Sequence, residues 1–195
     1  MSTAITPYTQ HYVARKAFFK LLGNAFRLYT PTGALAFYVK QKAFKLKEDI
    51  TVYTDEDQRE AVLNIKARSV LDFSGTYDVT DLATGATVGA LQRNGLKSLL
   101  RDEWSILNSQ GEAIGKILED STLLALLRRF LSNLVPQSFT FSLGERTVGR
   151  VKQHFNPFRL SYDVDFSPGG DALDPRLGVA AVVLLLAIEG RQASA

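Results

Sequence analysis

A chain of 195 residues, 46% hydrophobic and 22% charged, has the balance of a globular protein large enough to bury one sizeable core, so a single domain spanning 1–195 is expected. The absence of cysteine excludes disulfide frameworks and thiolate metal sites; it favours a cytoplasmic location, and the opening MSTAITPYTQ has no secretory pattern. The net charge of +3 hides an asymmetry: eight basic residues between positions 15 and 47 all precede the first acid, Glu48, and the remainder carries 15 basic and 20 acidic residues. A +8 segment is thus joined to a −5 remainder. Such a basic end fits an anionic partner, although lysines and arginines solvating outer strand faces explain the same residues.

In chain order, short β-branched, aromatic or alternating stretches separated by Gly, Asn, Asp and Pro predict strands near 11–19, 25–29, 34–42, 49–54, 60–68 and 75–80. Six more fall near 86–92, 102–108, 112–119, 137–143, 146–153 and 158–166. Hairpins are the main connection. In one, Trp104 and Ile106 alternate with polar neighbours, Asn108-Ser109-Gln110-Gly111 turns the chain, and Ile114 and Ile117 resume; Thr84-Gly85 and Gly144-Glu145 mark two others.

Two segments break the β pattern. Over 122–134, Leu123, Leu124, Leu127, Phe130, Leu131 and Leu134 recur at helical spacing, with Arg128, Arg129, Ser132 and Asn133 opposite and Pro136 beyond. This predicts a short amphipathic helix closing a barrel mouth, with contact to a membrane interface as the alternative. The second is the ending DPRLGVAAVVLLLAIEGRQASA. Asp174 suits an N-cap, Pro175 the first helical position, and Gly190 with Arg191 a stop, giving a helix over about 174–189.

Residues 177–188 leave that helix without a polar face, so lipid or protein must surround it. Length decides between the two: a bilayer span takes about 20 apolar residues, and this run has twelve. The expectation is a core helix with no transmembrane segment. Twelve strands make a wide enough enclosure, because barrel diameter grows with strand number and an eleven-stranded can already holds a central helix. The fold class expected is therefore mainly β, a twelve-stranded closed antiparallel barrel around a buried hydrophobic C-terminal helix.

The stretch Phe37-Tyr38-Val39-Lys40-Gln41-Lys42-Ala43-Phe44-Lys45-Leu46, continued by Glu48-Asp49-Ile50-Thr51-Val52-Tyr53, and the ending 179–189 resemble the tubby C-terminal-like superfamily, which includes plant LURP-one-related proteins and phospholipid scramblases. The resemblance covers nearly the whole chain in strand order and rhythm. It implies a twelve-stranded barrel around a hydrophobic C-terminal helix, and binding of phosphoinositides or other acidic lipids at membrane surfaces; in scramblases it also implies lipid movement and calcium.

Residues two apart on a strand share a face, so Tyr38, Lys40 and Lys42 should project together with Phe37 and Val39 opposite, and Lys45 and Lys47 follow closely. These five form the candidate site for a phosphate headgroup, with each lysine acting as a point charge. A helix filling the lumen leaves binding to the exterior or the mouths. Nucleic acid is disfavoured, since no base-stacking platform of interleaved aromatic and basic residues is present.

Asp163, Asp165, Ser167, Gly169, Asp171 and Asp174 have calcium-loop spacing, but Pro168 replaces the loop's glycine and the last ligand is Asp rather than Glu. Outward strand carboxylates plus an N-cap explain the same residues, so no metal or cofactor is assigned. Catalysis is not expected either: His11 and His154 sit beside no nucleophile motif, and neither GxSxG nor HExxH occurs. The leading expectation is a non-enzymatic binding or scaffold module at an anionic membrane surface. The alternatives are a protein-interaction module, scramblase-like lipid transport, or an enzyme whose site assembles in space around His11 or His154.

Overall fold

The computed structural model describes residues 7–17, 24–41, 49–68, 75–94, 103–120, 136–154 and 159–192. Twelve strands run in chain order: β1 (His11–Ala17), β2 (Asn24–Tyr29), β3 (Leu35–Gln41), β4 (Asp49–Tyr53), β5 (Ala61–Ala67) and β6 (Thr76–Asp81). β7 (Thr87–Arg93), β8 (Glu103–Leu107), β9 (Ala113–Glu119), β10 (Ser138–Leu143), β11 (Arg146–His154) and β12 (Arg159–Asp165) complete the set. Each pairs antiparallel with its neighbours in sequence, and β1 pairs with β12 from His11↔Asp165 to Ala17↔Arg159, so the sheet closes on itself. Closure leaves no free sheet edge.

Alternation along the strands builds the interior. Phe26 and Leu28 on β2, Phe37 and Val39 on β3, Leu63 and Ile65 on β5, and Phe139 and Phe141 on β10 are buried in one apolar cluster. Arg27, Lys40, Lys66 and Thr140 lie between or beside them on the other face. The seam between β3 and β4 is the least regular, with one paired position, Tyr38 opposite Tyr53, among the described residues.

After β12 the chain makes a 3-10 turn at Ser167–Gly169 and enters helix α1 (Pro175–Gln192). Residues 177–187 are all buried, and their apolar side chains belong to the same cluster as the strand residues. No helix among the described residues is long and apolar enough to cross a membrane. At the start of α1 the Asp174 carboxylate accepts the Arg176 amide at 2.9 Å, the N-cap bond that the sequence predicts. The helix runs past Gly190 to Gln192; glycine weakens a helix by about 1 kcal/mol but does not compel it to end.

Phe166 ties α1 to the wall. A Cβ built on Gly149 of β11 would lie 2.5 Å from its ring, and one on Gly178 of α1 would lie 3.0 Å from it. The ring therefore occupies space left by two glycines, one on each element, and meets Phe141 edge-on at 5.5 Å between centroids. The amphipathic helix predicted over 122–134 lies outside the described residues.

Candidate binding surface

The outer face of β1 to β4 is set by register. Arg15 of β1 stands opposite Arg27 of β2, Arg27 opposite Tyr38 of β3, and Tyr38 opposite Tyr53 of β4. Because Phe26, Leu28, Phe37 and Val39 take the interior, these residues fall on the exterior. Two guanidiniums lie over tyrosine rings: Arg15 Cζ is 5.0 Å from the Tyr29 centroid and Arg27 Cζ is 5.3 Å from that of Tyr38. Such stacking holds a cation at the surface in a defined place.

Charge is distributed unequally over this face. Arg27 forms a two-pronged pair with Glu56, Nε to Oε1 and Nη2 to Oε2, both at 2.8 Å. The Glu56 hydrogen bonds raise the pKa of Arg27, and the guanidinium lowers that of Glu56. Arg27 is thereby neutralised and fixed. Arg15 and Lys40 are exposed and have no ion-pair partner among the described residues. Tyr38 shares the outer face with Lys40, but its ring is covered by Arg27 and is only 8% exposed.

Lys42, Lys45 and Lys47 lie outside the described residues. Arg15, Arg27 and Glu56, which complete the face, were not singled out by sequence. Arg15 alternates with buried Tyr12 and Ala14, and that alternation is the signal that would have placed it outside. Lys16, from the same basic segment, is buried instead, its Nζ 4.7 Å from the Phe26 centroid.

The aspartates before α1 do not converge. Asp163 pairs with His154 (2.6 Å to Nε2) and Asp165 with His11 (3.3 Å to Nδ1), both on the exterior. Asp174 faces Arg176, which also reaches Asp81 at 2.7 Å and so fastens the start of α1 to the β6–β7 hairpin. Among the described residues, no group of three His, Cys, Asp or Glu could hold a metal ion. Both histidines are about half exposed.

A closed twelve-stranded antiparallel barrel whose C-terminal helix shares its apolar cluster is the tubby-like architecture. Within that superfamily the chain belongs to the LURP-one-related family, whose model matches residues 35–186. No curated protein and no solved structure matches it.

Proposed function

We propose that this chain is a non-enzymatic module that docks on anionic phospholipid surfaces through the exterior of β1–β3, peripherally and on the cytoplasmic side. The observation that carries the reading is the pair of exposed cations, Arg15 and Lys40, on either side of the neutralised Arg27–Glu56 fork. Lys40, Lys42, Lys45 and Lys47 occur within eight residues of chain that contain no acid, which extends the positive character. Each lysine or arginine held near an anionic leaflet contributes about 1 kcal/mol, or roughly fivefold in affinity. Tyr38 serves as the platform under Arg27 rather than as a contact for lipid. Support for a non-enzymatic role comes from the histidines, which lie on the convex wall with one aspartate each.

Flotation with vesicles tests the proposal. The protein is expected to float with vesicles containing phosphatidylserine or a phosphoinositide, to stay behind with pure phosphatidylcholine, and to release as salt rises. Arg15→Glu combined with Lys40→Glu should lower binding by several hundredfold, four charge units at roughly fivefold each. Unaltered flotation of that variant, or equal flotation on zwitterionic vesicles, refutes it.

A further inference from the structure

Round the wall from that basic face, the exterior of β5, β6 and β7 forms an open concavity of about 600 Å³. Its lining is set by the two-residue alternation of three strands: Asn64 and Lys66 from β5, Asp78 and Thr80 from β6, and Thr87 from β7, with Arg68 just beyond β5. Register brings them together. Asn64 stands opposite Thr80, Lys66 opposite Asp78, and Thr80 opposite Thr87, where a bulge shifts the β6–β7 pairing.

Most of the charge here is already spent. Arg68 grips Asp78 through Nε at 2.9 and 3.0 Å and Nη2 at 2.7 Å, and the Asn64 amide donates to Asp49. Three polar side chains of the lining remain wholly uncommitted. The Lys66 ammonium and the Thr80 and Thr87 hydroxyls have no side-chain hydrogen bond or ion pair among the described residues. One ammonium calls for one anionic group; two hydroxyls, each both donor and acceptor, call for partners that also do both.

Elimination narrows the ligand. Ala67 is the single apolar residue in the lining, so a hydrophobic ligand gains little. No aromatic ring is present to stack a base. The one carboxylate is held by Arg68, which leaves nothing for a metal ion. The charged lining residues, Lys66, Arg68 and Asp78, sum to a single positive charge, and Asp49, opposite Lys66 on β4, offsets it, so a polyphosphate is excluded and Lys66 alone is left for one anionic group.

We infer that this concavity binds a small polyol carrying one anionic group, such as a sugar acid or a sugar phosphate, with Lys66 on the anion and Thr80 and Thr87 on the hydroxyls. The site is separate from the lipid-docking face and does not depend on it.

Titration of the full isotope-labelled chain with gluconate and glucose 6-phosphate, followed by amide NMR shifts, tests the inference, with glucose and inorganic phosphate as controls. Saturable shifts at Lys66, Asp78, Thr80 and Thr87 are expected with at least one anionic polyol, weaker ones with phosphate, and none with glucose. Lys66→Gln should weaken binding by about tenfold with an unchanged Tm. Thr80→Val with Thr87→Val should abolish the preference for the polyol over phosphate. Absence of saturable shifts at these amides, phosphate binding as tightly as both polyols, or Lys66→Gln binding equally well overturns it. Vesicle flotation of Lys66→Gln should match the wild type, so failure here is distinguishable from failure of the lipid reading.

Discussion

Leu184 lies in the buried run of α1, is 1% exposed and is among the largest fully buried side chains. Leu184→Ala removes an isopropyl group from a site packed on all sides. The lost transfer energy is about 0.8 kcal/mol for each methylene-sized group, and the cavity left behind adds to it, giving a total of about 3–4 kcal/mol. Trp104 is the only tryptophan and belongs to the same apolar cluster, so its fluorescence reports unfolding directly. With a urea m-value of about 2 kcal/mol/M, the midpoint should fall by roughly 1.5–2 M. Leu82, 41% exposed in the β6–β7 turn, is the control; its change to Ala should cost under about 0.5 kcal/mol. If Leu184→Ala costs less than about 1 kcal/mol, α1 is not an integral part of the core. Deleting residues 173–195 extends the test: the truncated chain should lose cooperative unfolding, whereas a dispensable tail would leave the transition intact.

Gly149→Ala should destabilise by about 1–3 kcal/mol, because the new Cβ meets the Phe166 ring at 2.5 Å; Phe166→Leu in the same chain should recover part of the loss in Tm. Acid sensitivity should centre on the fastening of α1. Arg176 lowers the pKa of Asp81 chiefly by a direct hydrogen bond; at Asp174 burial opposes ionisation, and the bonds from Arg176 outweigh it. Both carboxyls thus bind protons less readily folded than unfolded. Their contribution is complete above the ordinary aspartate value of about 3.9 and is lost as pH falls through the lower folded values. Urea midpoints measured from pH 6 to pH 2.5 should show this decline. Arg176→Gln should lower stability at neutral pH and flatten the decline; an unchanged slope would show that the pairing is not its source.

The strands were legible because one physical constraint, burial of every second residue against a continuous core, acts along the whole wall. Phe26 and Leu28, or Phe139 and Phe141, announce their strands by spacing alone. Helix α1 was legible for the opposite reason: a run with no polar face, too short for a bilayer, requires a protein surround. What alternation does not determine is which outer residues face one another across strands. Arg27 covers Tyr38 because β2 and β3 pair as Arg27↔Tyr38, with a register shift between Leu28 and Tyr29. Sliding that pairing by one residue would invert the faces. The two-residue spacing on β3 therefore placed Tyr38 and Lys40 on the outer face, but did not show that the ring is already covered or that Arg15 stands as a second cation without an ion-pair partner among the described residues. The β5–β7 concavity lay further from view. Its residues are ordinary polar alternants on three strands, and only the β6–β7 bulge and the Arg68–Asp78 grip leave Lys66, Thr80 and Thr87 facing a shared space. Binding chemistry on a barrel exterior is thus a property of register, and charge reversals at Lys40 and at Lys66 should separate two surfaces that composition alone merges into one basic protein.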